Sequence, residues 1–410
     1  MNKIPNGWKE KKLKYIAEIT SSKRIYEYEY VDSGIPFYRG KEITALKNNQ
    51  KIENFIYISE KRYNELKEKY GVPSKYDILI TAVGTVGNAY TIEDDKPFYF
   101  KDGNLLWLKN IKEYPKFVEY LFECNKNVLL NNFFGSVQHA LTISRLENLT
   151  FYFPPLDEQK RIASALSKID AYLENTIKLI EEKERFKRGI AKKLLTCKEG
   201  ENIPEARFKG FNDDWRKEKL SSMIKIQGGY AFKSSEFKKS GIPIIRISNI
   251  SNTDNNMNMK EVVYYNEIEN EKSFIIKKSD LLIALSGAPG KSSIYNLEEK
   301  AYLNQRVGLF KIIDTKKINN SFLSQYVFSS IFQNKLKPFI TRGVQPNISP
   351  KDIENLDILL PSLKEQEKIG GYLSLLDAEI DNLKKQKELI KEMKRGAMQK
   401  LLSGEIRLLE

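Results

Sequence analysis

The sequence predicts an α+β protein written twice. Two tandem domains of small twisted sheets with helices each run into a long helix, and the two long helices form an antiparallel coiled coil with pseudo-two-fold symmetry. Three observations predict this. A 207-residue offset relates the halves from end to end. Each half opens with short β-type runs punctuated by Gly and Pro. Each half closes with some 40 residues of heptad-spaced apolar side chains that contain no proline.

The repeat sets the domain limits. Trp8 and Leu13 of "GWKEKKL" match Trp215 and Leu220 of "DWRKEKL", and "SGIPFYRG" at 33–40 matches "SGIPIIRI" at 240–247. "YDILITAVGTVG" at 76–87 matches "SDLLIALSGAPG" at 279–290, with the offset slipping to 203. "PLDEQKRIASALSKID" at 155–170 returns as "SLKEQEKIGGYLSLLD" at 362–377, pairing Glu158 with Glu365 and Gln159 with Gln366. The units end alike, in "KRGIAKKLL" and "KRGAMQKLL". The expected limits are 1–155 and 201–361 for the mixed domains, and 156–200 and 362–410 for the helices.

Within the mixed domains, "IPFY", "DILITAV", "LLWL" and "LTFYF" read as strands, as do "IPII", "DLLIAL", "VGLF" and "LDILL". "SEKRYNELKEKY" at 59–70 reads as a serine-capped helix. "PKFVEYLFECNKNVLL" at 115–130 reads as a helix with proline in its first turn, and "SFLSQYVFSSIFQNKL" at 321–336 is its match. The expected coiled-coil seam consists of Ile162, Leu166, Ile169 and Leu173 on the first helix and Ile369, Leu373, Leu376, Ile380 and Leu383 on the second. Lys183 and Lys187 fall in the first seam, and Lys387 and Lys394 interrupt the second. Neither helix can bury its stripe alone, so the two are expected to pack on each other, as a spacer about 60 Å long at ~1.5 Å per residue.

Composition narrows the function. The formal net charge is +14, with surpluses of +4 in residues 1–155 and +6 in 201–361. That suits a polyanionic partner such as nucleic acid. Two cysteines, Cys124 and Cys197, make no disulfide framework, and a reducing cytoplasm is the expected compartment. No apolar run approaches the roughly 20 residues of a membrane span, and the N-terminus has no apolar signal core. With His139 as the only histidine, His-based triads and metal sites are not expected. "GAPGKSS" at 287–293 lacks the leading glycine of a phosphate loop, since Leu285 occupies that position. "FPPL" at 153–156 lacks the flanking residues of an amino-methyltransferase motif and reads as a stop before the helix. Asp77 and Asp280, matched in the two units, read as turn residues. No catalytic nucleophile, metal cluster or methyl-donor loop stands out.

The candidates that remain are polar or basic side chains placed in equivalent loops. Arg39 and Lys41 follow the first "GIP" strand, and Arg246 and Asn249 follow the second. Gln138 sits in "FGSVQH", and Arg342 and Gln345 sit in "RGVQPN". Lys291 lies in the second glycine-rich turn, whose amides could approach a phosphate. Arginine can bind guanine bidentately and asparagine adenine. A coiled-coil scaffold with an incidental basic surface is the alternative.

In their order, twice over, these segments resemble the specificity subunit of Type I restriction-modification systems (HsdS). "SGIPxxR", "DILI…GTVG" with "DLLI…GAPG", "GVQPNIS", and "PPLDEQKRI" with "PSLKEQEKI" carry the resemblance, and "RFKGFNDDW" resembles the usual entry to the second domain. The resemblance implies two target-recognition domains, each reading one half of a split double-stranded DNA target, with a coiled coil fixing the gap. It implies two modification (methyltransferase) subunits using S-adenosylmethionine, and restriction subunits using ATP and Mg for translocation and cleavage. The specificity subunit itself would be non-catalytic and would hold no cofactor. The partial match of "GSVQHALTIS" to "GVQPNIS" weakens the carry-over to the first unit.

Overall fold

The computed structural model describes residues 5–130, 140–250, 257–268, 273–341 and 346–409. Two compact units divide the chain: Met1–Lys178 with Lys385–Glu410, and Leu179–Lys384. Each long helix therefore begins in one unit and ends in the other.

The first unit contains strands β1 (Lys9–Lys12), β2 (Glu18–Thr20), β3 (Tyr30–Val31), β4 (Ile35–Tyr38), β5 (Ile56–Ile58), β6 (Ile78–Thr81), β7 (Ala89–Thr91), β8 (Tyr99–Phe100), β9 (Leu105–Lys109) and β10 (Thr150–Phe153). Between them lie helices α1 (Leu13–Ile16), α2 (Gly40–Lys47), α3 (Glu60–Tyr70), α4 (Pro115–Cys124), α5 (Lys126–Leu130) and α6 (Ile143–Asn148). One sheet has the order β2-β9-β6-β7, a second has β3-β5-β4-β8, and β1 pairs with β10 as a two-stranded ribbon. Strand β6 explains the layering. All four of its residues are buried, because it sits between two apolar layers. Ile78 and Ile80 face a cluster with Phe117, Phe122, Ile162 and Leu166. Leu79, on the opposite face, joins Ile43, Phe100 and Trp107. The period-two alternation of a strand thus becomes a helix layer on one side and a second sheet on the other.

The second unit repeats this plan with β11 (Arg216–Lys219), β12 (Ile224–Gly228), β13 (Ile242–Ile245), β14 (Val263–Tyr265), β15 (Ile275–Ile276), β16 (Leu281–Ala284), β17 (Ser292–Ile294), β18 (Ala301–Leu303), β19 (Val307–Ile312) and β20 (Asp357–Leu360). The sheet β12-β19-β16-β17 and the ribbon β11-β20 correspond to their first-unit equivalents. The other sheet, β14-β13-β18-β15, keeps the central antiparallel and parallel pairings of β5-β4-β8 but adds its fourth strand at the opposite edge. Leu281 and Ile283 face the helix layer, and Leu282 faces the second sheet.

The eight expected strands and the Ser59-capped α3 are present. The helix expected over 115–130 is broken into α4 and α5, and its match over 321–336 into α8 (Asn320–Phe328) and α9 (Ser330–Leu336). The breaks have local causes. Asn125 turns its side-chain amide back onto the Leu121 carbonyl at 2.9 Å. Ser329 accepts the Phe332 N–H at 3.3 Å and starts a new helix. A short α10 (Pro350–Glu354) precedes β20.

The long helices are α7 (Leu156–Leu195) and α11 (Leu363–Leu402), each 40 residues. They pack as an antiparallel coiled coil. In the first unit Ile162 and Leu166 are buried with Met398, Leu401 and Leu402, and Ile169 packs against that cluster. In the second, Ile369, Leu373 and Leu376 share a core with Leu194 and Leu195. Ile180, Ile380 and Ile390 are buried as well, while Leu173 and Leu383 are half-buried.

The duplicated "EQ" at the two helix starts has a structural purpose. Gln159 donates to Glu113 (2.6 Å) and to the Pro154 carbonyl (2.9 Å), and accepts the Tyr114 N–H. Gln366 donates to the Lys317 and Pro361 carbonyls and accepts the Asn319 N–H. Each glutamine sutures its helix to the loop entering α4 or α8. The neighbouring buried glutamates are held by bidentate arginines: Glu158 by Arg407 at 2.6 and 2.8 Å, and Glu365 by Arg207 at 2.8 and 2.8 Å.

Candidate nucleic-acid interface

In the first unit, β4 delivers Arg39 to the N-cap of α2. The Arg39 N–H bonds Glu42 Oε2 at 2.8 Å and its Nη2 bonds Glu42 Oε1 at 2.8 Å. Burial pushes the Glu42 carboxyl up, but the bonds from Arg39 outweigh it and hold the group below its ordinary range. Lys41, just before Glu42, is largely exposed, with its Nζ 3.6 Å from Glu42 Oε1. Gly40 at the start of α2 lies against Thr81 and the Val83 carbonyl, so α2 begins beside the turn that follows β6. That turn reverses through Gly84 and Gly87, at φ 78° and 84°. It is tied back by Thr44 Oγ1 to Thr85 Oγ1 at 3.4 Å and by Asn88 to Thr44 at 3.1 Å. Lys126 donates to Asn88 at 2.7 Å. The Leu141 N–H bonds the Ala82 carbonyl at 2.9 Å, which brings a third segment to the same end of the unit. Gln138 and His139 lie outside the described residues.

The second unit assembles the same three segments. Arg246 caps the turn after β13, bonding Asn249 through its N–H (2.9 Å) and the Glu261 carbonyl through Nη2 (3.2 Å). Its guanidinium lies 5.8 Å from the Phe237 ring centre. The β16–β17 turn passes Gly287 and Gly290, at φ 74° and 90°, and a Cβ on Gly287 would touch Ile247. The Gly287 N–H bonds the Pro346 carbonyl and the Ile348 N–H bonds the Leu285 carbonyl, each at 2.9 Å. Arg342 and Gln345 lie outside the described residues, immediately before Pro346.

One expectation changes here. Asn249 is fully buried. Its Oδ1 accepts from Arg246 and its Nδ2 donates to the Asn258 carbonyl at 2.9 Å, so it is a cap with no atom to offer a base. Lys291 is half-buried on the return of a β-hairpin that runs straight into β17, with no helix behind the glycines as a phosphate loop requires. Asp77 and Asp280 are turn residues. Asp77 accepts the Ser74 N–H (3.0 Å) and Trp107 Nε1 (2.8 Å), and Asp280 accepts the Lys277 N–H (2.8 Å). Burial pushes both carboxyls up.

Sequence reading missed Lys126 and Arg306. Lys126 reaches the turn only because α5 breaks away from α4. Arg306 is exposed, and its carbonyl accepts the Leu285 N–H at 2.9 Å beside the glycine turn. Lys126 lies in the matched helical segment 115–130, where the apolar pattern and not its charge is the repeated signal, and Arg306 lies in none of the repeated motifs. Among the described residues, no group of His, Cys, Asp and Glu could hold a metal ion, and no helix is long and apolar enough to cross a membrane.

The arrangement places exposed cations, and side chains that differ between the units, at one end of each of two like units. The Type I restriction modification DNA specificity domain matches twice, at residues 5–182 and 212–392. The chain belongs to that family. It is a specificity subunit with two tandem target-recognition domains. Its relatives include the Type I restriction enzyme MjaVIII specificity subunit of Methanocaldococcus jannaschii, 32% identical over 64% of this chain and 63% of that one. The putative MjaX specificity subunit of the same organism is 26% identical over 100% of this chain and 96% of its own. The fold matches the crystal structure of the Type I system S subunit from M. genitalium, with a TM-score of 0.61, 18% identity, and 98% and 97% of the two chains covered.

Proposed function

We propose that each unit of this specificity subunit reads one half of a split, asymmetric double-stranded DNA target through the loop end described above. One observation carries the reading: the same three segments converge in both units while the side chains they present differ. Arg39 with exposed Lys41 stands where Arg246 with exposed Ser248 stands, and Lys126 with Thr85 has no like-for-like partner beside Gly287. Common scaffolding with unlike contacts gives unlike half-sites. Arg39 has its Nη1 left to offer, and Lys41, Arg306 and Lys126 supply phosphate contacts that position the duplex. Gln138, Arg342 and Gln345 remain proposed base contacts, and Lys291 a proposed phosphate contact.

The chain itself performs no covalent step in this reading. Modification subunits docked on it bring S-adenosylmethionine and flip the target adenine from the stack. Restriction subunits bring ATP and Mg. The 40-residue helices α7 and α11 set the gap between half-sites.

Exchange of residues 1–155 for the corresponding domain of another specificity subunit tests this. Methylome sequencing of the host is expected to show one half-site changed, with the other half-site and the gap retained. A change in both halves, or in neither, overturns the assignment. In gel shifts over a salt series, Arg306→Ala and Lys126→Ala are each expected to lower the slope of log K against log salt by about 1.

A further inference from the structure

The seam of the two long helices is interrupted by charge at matched places. In the first unit Lys394 of α11, only 15% exposed, reaches Asp170 of α7 at 2.8 Å and Glu123 of α4 at 2.6 Å. Asp170 also accepts the Tyr120 hydroxyl at 2.7 Å, and that hydroxyl lies 3.1 Å from Ser167 Oγ. In the second unit Lys187 of α7, 13% exposed, pairs with Asp377 of α11. Asp377 accepts the Gln325 amide at 2.8 Å, and Ser374 lies 3.5 Å from that amide. Lys187 and Lys394, Asp170 and Asp377, and Ser167 and Ser374 are each related by the 207-residue repeat. Each lysine therefore pairs with the aspartate of the other repeat's helix, while a residue of α4 or α8 holds that aspartate from the globular side.

Burying such pairs does little for stability, because desolvation offsets the attraction. Polar groups in a coiled-coil seam instead select register. Sliding α11 by one heptad shows the selection. In the first unit Lys394 would face Ala163 or Ile177 in place of Asp170. In the second, Asp377 would face Ile180 or Leu194 in place of Lys187. Either slip leaves buried charges without partners. A wholly apolar seam would impose no such penalty.

We propose that Lys187 and Lys394 are positioning residues whose crossed pairs with Asp377 and Asp170 admit a single register of α7 on α11, and through it a single gap between half-sites. This rests on the reading that the two helices set the gap.

The test uses the full chain reconstituted with its modification subunits, and duplexes carrying the native half-sites with gaps from four base pairs short to four long. A one-heptad slip moves a helix by about 10 Å, roughly three base pairs. Lys187→Met leaves Asp377 without its ammonium partner and is expected to lower the melting temperature while the chain still folds. Its methylation should favour the native gap over other gaps about tenfold less than wild type does. Lys187→Asp with Asp377→Lys is expected to restore the preference, because the Gln325 amide can accept from a lysine as well as donate to a carboxylate. A folded Lys187→Met chain that keeps full gap discrimination overturns the proposal. Should Lys187→Met fail to fold, the double exchange decides: native discrimination supports the lock, and lost discrimination overturns it. Inserting one heptad into both helices separates the two ideas. If the preferred gap does not move, the helices do not set the gap. If it moves while Lys187→Met still discriminates, only the lock is wrong.

Discussion

The arginine that ends the "GIP" strand occupies the same place in both units, and its surroundings differ. Arg39 is spent on a buried carboxylate, with Glu42 taking both its N–H and its guanidinium. Arg246 faces a neutral amide at the matching position, and its charge rests on a main-chain carbonyl and the Phe237 ring. A duplicated scaffold has thus kept the cap and changed the electrostatics beside it. The cap is a backbone requirement that Glu and Asn both satisfy. The charge of the third residue is free to vary, and it decides how much positive potential reaches a ligand.

The largest test of this contrast is Arg39→Ala against Arg246→Ala. The first leaves the buried Glu42 carboxylate only its main-chain bond and the exposed Lys41 ammonium 3.6 Å away, and should cost about 3 kcal/mol of unfolding free energy in urea titrations. The second should cost about 1 kcal/mol or less. Adding Glu42→Gln to Arg39→Ala should recover most of the loss. The pH dependence follows from sign. The folded Glu42 carboxyl sits below its unfolded value. Its contribution is present above the unfolded value, near pH 4.3, and is lost as pH falls through the folded one. Arg39→Ala should therefore flatten the acid limb of the stability curve.

Gly370 and Ala163, one repeat apart, give the next contrast. A Cβ on Gly370 would lie 2.5 Å from the Phe322 nitrogen, whereas Ala163 is accommodated and buried. Gly370→Ala should destabilise by about 2 kcal/mol. Gly371→Ala next door meets nothing within 4 Å and should stabilise by about 0.5–1 kcal/mol. Thermal melts of the two variants should shift in opposite directions.

The turn aspartates give the smallest difference. Asp77→Ala leaves the Trp107 N–H without its partner and should cost about 1–2 kcal/mol, while Asp280→Ala gives up a main-chain turn bond worth about 1 kcal/mol. Both folded carboxyls titrate above their unfolded value. Their favourable contribution is present below the unfolded value, near pH 3.9, and fades as pH rises through the folded one. Asn replacements should therefore gain on wild type as pH rises above about 4 in urea titrations.

The legible parts of this molecule are those where a local pattern has one physical solution. A 40-residue apolar stripe with no proline must pair, and "DILIT" and "DLLIA" must lie between two apolar layers. The loop end was legible in outline, since Arg39, Arg246 and the glycine turns were all singled out. Asn249 shows the limit of that reading. Its residue type suits an adenine contact and a helix cap equally well, and only burial separates the two. The broken helices at Asn125 and Ser329 failed for a related reason, because an apolar period continues across a break that side-chain bonds create.

The sequence alone determined the duplication, the α+β class, the seam and the family, because periodicity and repeated order are properties of the chain itself. Tertiary structure decided which repeated residues are mortar and which can face a ligand. Glu158, Gln159, Glu365 and Gln366 became sutures, and Lys187 and Lys394 crossed to the other repeat's aspartates. Lys126 and Arg306 arrived beside turns far from them in sequence. Those outcomes depend on which polar groups find partners across the fold, and a partner about 20 to 250 residues away leaves no local pattern.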